Sequence, residues 1–322
     1  MPHRFALGAL CVSTVMCLPH ASAAPPIQLP DFEVAGRLVP EDPLPERQTL
    51  WAHPGTTLTD VVYSTLPGYR PLHLDLYRRT SAAGAQPLVV FLHGGAFGYA
   101  NPRAGAAFRN FPLILAALAE RGYVVASVSY RFSGEARMPS LFEDVQAAIR
   151  FLRSNATHFG IDGTRVGLWG MSAGAYLAGM QALNCVEGTC VQGWVGWFGL
   201  YDFAGVALEG ADERRFWGCE ADGCSSQTLA ALSPIRYADA KDPPTLLVHG
   251  TADEPAVSER LAARLREVGA PVQLLLIPGV SHGLVGPTDA ATKAALGQGL
   301  TATFSFFDRV LRAGGTADHG VP

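Results

Sequence analysis

The stretch Gly170-Met171-Ser172-Ala173-Gly174 decides how this chain reads. Before it stands the apolar run Val166-Gly167-Leu168-Trp169, and after it Tyr176-Leu177-Ala178-Gly179-Met180-Gln181-Ala182-Leu183, which reads as helix. A serine held in a sharp strand-to-helix turn presents its hydroxyl at the edge of a sheet. Glycines on both sides are needed because side chains there would clash in so tight a turn. The pentapeptide alone is weak: with 35 glycines in 322 residues, chance supplies a G-x-S-x-G about 0.2 times. The competing reading is a Gly-rich turn in which Ser172 only caps the helix. Context separates the two.

Outward from the elbow, apolar runs alternate with helical patterns. The strand runs are Leu88 to Leu92, Val124 to Val128, Val166 to Trp169, Val191 to Phe198, Thr245 to Val248 and Val272 to Ile277. Helical patterns fill residues 104 to 120, 140 to 158, 174 to 184, 256 to 268 and 289 to 312. Continuous apolar strands separated by helices predict a mostly parallel central sheet with helices on both faces. Upstream, Val61-Val62-Tyr63 and Leu72-His73-Leu74-Asp75-Leu76-Tyr77 predict two antiparallel strands joined across Pro67-Gly68. Residues 203 to 232 break the rhythm and read as a small lid inserted into one domain spanning 51 to 322.

In an open parallel sheet, ligands bind beyond the carboxyl ends of the strands. Ser172 sits at such an end, and its hydroxyl needs a base to become a useful nucleophile. His282, in Pro278-Gly279-Val280-Ser281-His282-Gly283, follows the strand ending at Ile277 and is the candidate base. Asp253, in His249-Gly250-Thr251-Ala252-Asp253, follows the strand ending at Val248 and is the candidate partner of that imidazole. A plain turn aspartate and an exposed loop histidine are the bland alternatives. The chain order Ser172, Asp253, His282 favours the functional reading; Asp202 is the reserve acid. His93-Gly94-Gly95-Ala96 follows the strand ending at Leu92. Glycines there let backbone N–H groups approach a reacting carbonyl, and with the N–H of Ala173 they form a candidate oxyanion hole. His93 is expected to brace this loop. Asp144 is expected to pair with Arg131, and Asp162 to make a turn before the elbow strand.

The N-terminus predicts export. Arg4, the mostly apolar Phe5 to Leu18 and the small residues Ala21-Ser22-Ala23 form a signal peptide over 1–23. The apolar run is short for a membrane span. Residues 24–50 are a Pro-rich arm. A hydrophobic content of 48% fills a sizeable core, and a net charge of −4 without a basic cluster disfavours nucleic acid and anionic membranes. Beyond Cys11 and Cys17 in the signal, the cysteines are Cys185, Cys190, Cys219 and Cys224. An even count in an exported chain argues for disulfides, with three possible connectivities. The local one, Cys185–Cys190 and Cys219–Cys224, is preferred, each bridge contributing about 2 kcal/mol. The spacing does not suit zinc, and no metal is expected.

Phe91-Leu92-His93-Gly94-Gly95, Ser129-Tyr130-Arg131, the elbow, His249-Gly250-Thr251-Ala252-Asp253 and Gly279-Val280-Ser281-His282-Gly283 together resemble the α/β-hydrolase esterases. The resemblance runs over residues 55 to 312 and points to the hormone-sensitive-lipase-like and bacterial feruloyl-esterase-like carboxylesterases. It implies an α/β-hydrolase fold, no cofactor, Ser172 as nucleophile, His282 as base then acid, and Asp253 as orienting acid. The implied oxyanion donors are Gly95, Ala96 and Ala173, with Gly94 as the alternative inside a loop whose third glycine is replaced by Ala96. The implied substrate is a small or polymer-linked ester with a short or aromatic acyl group. Phe97, Tyr99, Phe216 and Trp217 are the candidates to line its pocket. An amidase or peptidase on the same fold, or a non-catalytic binding protein, are the alternatives. Oligomeric state is not legible.

Overall fold

In the computed structural model, residues 27–34, 51, 54–80, 82, 84–204, 210–219 and 223–312 are described. The signal peptide expected over 1–23, most of the arm expected over 24–50 and parts of the lid expected over 203–232 lie outside them. The strands are β1 (Gly55–Ser64), β2 (Leu72–Arg79), β3 (Gln86–Leu92), β4 (Val124–Val128), β5 (Ile161–Met171), β6 (Gly193–Trp197), β7 (Thr245–Gly250) and β8 (Val272–Ile277). They form one sheet in the order β1-β2-β4-β3-β5-β6-β7-β8. β2 runs antiparallel to β1 and β4, and the other pairings are parallel.

The lack of polar alternation in the central runs has a direct physical cause. Every residue of β4, β6 and β7 is buried, because helices cover both faces of the sheet. The helices are α1 (Phe111–Glu120), α2 (Ser140–Ser154), α3 (Ala156–Phe159), α4 (Ala173–Leu183), α5 (Ala211–Phe216), α6 (Ser226–Leu232), α7 (Ala256–Glu267) and α8 (Asp289–Phe307). Leu88, Val90 and Leu92 of β3 face one core, shared with Leu141 and Ile149 of α2, Leu177 of α4 and Leu261 of α7. Val89 and Phe91 face the other, shared with Ile114 and Leu118 of α1 and Leu296 and Phe304 of α8. This is the period-two alternation of a strand between two layers.

Three helix boundaries differ from the sequence expectation. The pattern beginning at 104 becomes helix only at Phe111. Pro112 fits the first turn of a helix but not its interior, so α1 starts just before it. The segment before it is pinned as a loop: Arg103 pairs at 2.7 Å with Asp75, which is fully buried on β2. Ser127 of β4 donates to the carbonyl of Pro102. The 140–158 pattern breaks at Asn155, and the 289–312 pattern ends its α-helix at Phe307, followed by a wider turn over Asp308–Arg312. Asp162, expected in a turn before the elbow strand, lies instead within β5, which begins at Ile161; at an irregularity in the β3–β5 register its carboxylate accepts from the backbone and hydroxyl of Thr164.

The described part of the arm packs on the same loop. Val34 pairs with Phe108 in a short antiparallel bridge, Phe32 meets Phe108 edge to face at 5.3 Å, and Arg109 donates to the carbonyl of Val34 at 3.2 Å. Asp31 reaches Lys293 of α8 at 2.6 Å.

Arg131 follows β4 and donates to Asp144 of α2 through both guanidinium and backbone, the closest contact 2.7 Å. Both side chains are buried, at 8% and 3% exposure. Losing one member strands the other charge in the interior, whereas removing both does not. Arg131→Met is expected to cost about 3–5 kcal/mol in urea unfolding, and Arg131→Met/Asp144→Leu markedly less.

Candidate active site

The elbow is built by backbone crowding. Ser172 has φ 52° and ψ −117°, a conformation that costs a non-glycine residue about 1–3 kcal/mol. It is held there from two sides: its N–H donates to Trp197 of β6 at 2.9 Å, and its carbonyl accepts from Ala175 and Tyr176. A Cβ at Gly170 would strike the backbone of Gly174, and one at Gly174 would strike the carbonyls of Leu92 and His93. The Ser172 hydroxyl makes no capping bond to α4. It points instead to His282 Nε2, at 3.0 Å.

The loops after β7 and β8 are stitched to one another. Thr251 N–H donates to Ile277, Ala252 N–H donates to Val280, and Gly279 N–H donates to the Thr251 hydroxyl. This brings His282 Nδ1 within 2.8 Å of Asp253 Oδ2. An ionised carboxylate only accepts, so Nδ1 carries the proton and Nε2 is free to accept from Ser172. The ring of Phe198 stands edge-on to His282 at 5.0 Å. Asp202 is not involved: its carboxylate takes Arg260 at 3.0 Å and the N–H of Ala204. Ser172, His282 and Asp253 therefore form one hydrogen-bonded line from three strand ends.

The His-Gly-Gly loop lies against the elbow. A Cβ on Gly94 would come within 3.2 Å of the Met171 carbonyl and 3.3 Å of Ser172 Cβ. Gly95 (φ 104°), Ala96 (φ 47°) and Phe97 (φ 62°) all take the left-handed side of backbone space. Two consecutive non-glycine residues there mark stored strain of the kind that gathers at functional sites. His93 is fully buried, donates Nδ1–H to the Gly94 carbonyl at 2.7 Å and stacks on Tyr130 at 4.4 Å. Tyr130 donates to the His93 carbonyl at 2.8 Å, and burial raises its phenol well beyond the usual range, so it stays a donor. Next along the chain, Arg131 is anchored by Asp144.

Two cavities flank Ser172 and His282. One, of about 300 Å³, is walled by small residues, including Ala100, Ala104 and Ala106, with Tyr99 and Phe198. The other, of about 190 Å³, has Phe97, Tyr176, Phe198, Leu200 and Val257. A wider groove of about 1050 Å³ adjoins at Ala96 and Phe97, with Tyr69, Glu135, Arg137, Phe216 and Trp217 along it. Of the four predicted pocket aromatics, Phe97 and Tyr99 face cavities that contain Ser172. Phe216 and Trp217 line only the groove and are mostly buried, packing on Phe97 at 5.4 and 5.3 Å. Tyr176, Phe198 and Leu200 carried no motif and were missed; their positions just past the elbow and β6 were the available signal. Cys185 is bonded to Cys190, and Cys219 to Cys224 within residues 203–232, the local pairing expected.

A mostly parallel sheet crossed once by an antiparallel strand, with the serine elbow after β5 and helices on both faces, defines the α/β-hydrolase fold. The chain belongs to the BD-FAE family, whose pattern matches residues 74–267. It is 29% identical to Esterase LipQ of Mycobacterium tuberculosis over 246 residues, 70% of this chain and 56% of that protein. It is 28% identical to isoprenylcysteine alpha-carbonyl methylesterase ICME of Arabidopsis thaliana over 247 residues, 69% and 55% of the two chains. The chain thus spans less than two thirds of the length of these relatives. Among solved structures, a truncated carbohydrate esterase from gut microbiota superposes with a TM-score of 0.63 at 26% identity, covering 79% of this chain and 96% of that one. The thermophilic esterase Est2 of Thermogutta terrifontis shares the fold, with a TM-score of 0.63 at 22% identity, covering 81% and 94%.

The His93 imidazole gives the site a pH signature. Burial is the main cause that brings its pKa from 6.5 down to about 4; the Arg70 charge acts in the same direction, and the bond to Gly94 opposes it. The unfolded chain binds this proton near pH 6.5, while the folded chain refuses it until about pH 4. The contribution to stability is complete above pH 6.5 and is lost as pH falls toward 4, with a full span on the order of 3 kcal/mol. Urea midpoints measured across this window are expected to fall for the native chain and to fall less steeply for His93→Asn. Equal slopes would remove His93 as the source.

Proposed function

We propose that this chain is a serine carboxylesterase. The observation that carries the proposal is the line Ser172 Oγ to His282 Nε2 (3.0 Å) and His282 Nδ1 to Asp253 Oδ2 (2.8 Å) beside a glycine loop. Ser172 attacks the ester carbonyl while its proton passes to His282 Nε2. Asp253 holds the imidazole in the tautomer that accepts this proton and stabilises the imidazolium that results. Negative charge on the carbonyl oxygen is met by the N–H groups of Gly95, Ala96 and Ala173. His282 then gives its proton to the departing alkoxide, leaving an acyl-Ser172 that water hydrolyses by the same route in reverse.

The two cavities beside Ser172 are each small, which favours short-chain or aromatic acyl groups over long ones. The adjoining groove offers aromatic rings and charged side chains outside that confined space, a setting for an alcohol carried on a larger polar body such as a sugar polymer. The likeness to a carbohydrate esterase supports this reading. The N-terminal pattern and the two disulfides support export to the periplasm or medium. Among the described residues no helix is long and apolar enough to cross a membrane.

A fluorophosphonate probe is expected to label Ser172 in the folded protein, and Ser172→Ala to lower ester turnover by roughly 10⁴-fold or more. Absence of an adduct would sink the enzyme reading and favour a binding protein on a hydrolase scaffold. p-Nitrophenyl esters of graded length, acetylated xylan and methyl ferulate sort the acyl and alcohol preferences. Faster cleavage of matched amides than of esters would move the assignment to an amidase.

A further inference from the structure

His249 is the penultimate residue of β7 and is buried against Asp253, with 2% of its side chain exposed. Its Nε2 lies 3.1 Å from Asp253 Oδ2, the same oxygen that meets His282 Nδ1. Its Nδ1 lies 2.8 Å from the hydroxyl of Ser258, a fully buried residue of α7. An ionised Asp253 can only accept, so Nε2 carries the proton, Nδ1 accepts, and the Ser258 hydroxyl donates. One carboxylate oxygen thus takes N–H bonds from two imidazoles. The ionisable groups acting on His249 are Asp253 and Glu254 from its own loop and His282 from the loop after β8. Tyr176 of α4 lines the cavity that His249 also reaches.

We propose that His249 is a positioning residue for the candidate triad: a neutral Nε2–H donor, braced by Ser258, that fixes Asp253 Oδ2 on His282 and moderates the hold of that carboxylate on the protonated base. The inference rests on the esterase reading. Burial disfavours the charged form of His249, in keeping with a donor that stays neutral. A second donor on the carboxylate spreads its negative charge. Without it, Asp253 faces His282 alone, holds the imidazolium more firmly and is freer to rotate. A purely structural histidine would affect folding without moving the pH dependence.

The test has two arms. In the first, ¹⁵N NMR of the intact protein reads the His249 ring from pH 5 to 9, independently of turnover. A neutral ring protonated on Nε2 throughout is expected; an Nδ1–H tautomer or a charged ring near neutrality overturns the proposal even if esterase activity is found. In the second, His249→Leu is expected to lower kcat on p-nitrophenyl acetate roughly ten- to a hundredfold, by analogy with loss of the outer partner of a metal ligand, with KM little changed. The acid limb of kcat/KM should move to higher pH by about half a unit or more. His249→Gln, which keeps an N–H donor, should recover much of both, and Ser258→Ala should shift the limb in the same direction by less. If His249→Leu does not fold, Ser258→Ala decides: an unchanged limb and kcat overturn the proposal. An inactive native protein with the expected NMR signature would defeat the esterase reading while leaving the His249 geometry standing.

Discussion

Backbone contact between the start of α4 and the end of β3 is the constraint on which the carboxyl edge of this sheet depends. Gly174 lies so near the carbonyls of Leu92 and His93 that no Cβ fits between them. That single approach sets two things at once. It accompanies the Ser172 turn at φ 52°, and with it the Gly94-Gly95 loop lies alongside the serine. The serine and the glycine loop are therefore brought together by the same contact, not by two separate loops finding one another.

The remaining groups are held by polar bonds that replace lost hydration. His93, Tyr130, Arg131 and Asp144 run as a chain of contacts from the glycine loop back to α2. On the other side, Ser258, His249, Asp253 and His282 run from α7 to the serine. Each chain contains a histidine whose burial favours its uncharged form, so each ring serves as a hydrogen-bonding spacer of fixed orientation. The serine stands where these two supports meet.

The parts legible in the sequence are those governed by local periodicity and turn chemistry. β3 to β7 are readable because burial on both faces leaves continuous apolar runs, and β8, at the edge and half-buried, because its own run Val272 to Ile277 is almost wholly apolar; the elbow is readable because two glycines have no substitute there. The start of α1 is not legible, since the spacing in 104–110 imitates a helix while an ion pair from a distant strand and Pro112 hold that stretch as loop. Phe216 and Trp217 were picked as pocket residues by chemistry alone; only tertiary packing on Phe97 tells a wall of a groove from a lining of the smaller cavities. His249 lay within a quoted motif, but its meaning comes from Ser258 on the following helix, a contact no spacing rule encodes.

The loop of 101–110 is loaded from three directions: by the arm through Val34 and Phe32, by β2 through Asp75, and by β4 through Ser127. The same loop supplies Ala104, Gly105 and Ala106 to the larger cavity beside Ser172. One stretch of chain thus joins the N-terminal segment, two strands and a wall of that cavity. A side chain changed at Val34 or Phe32 therefore meets, across one short loop, residues that wall the space beside Ser172.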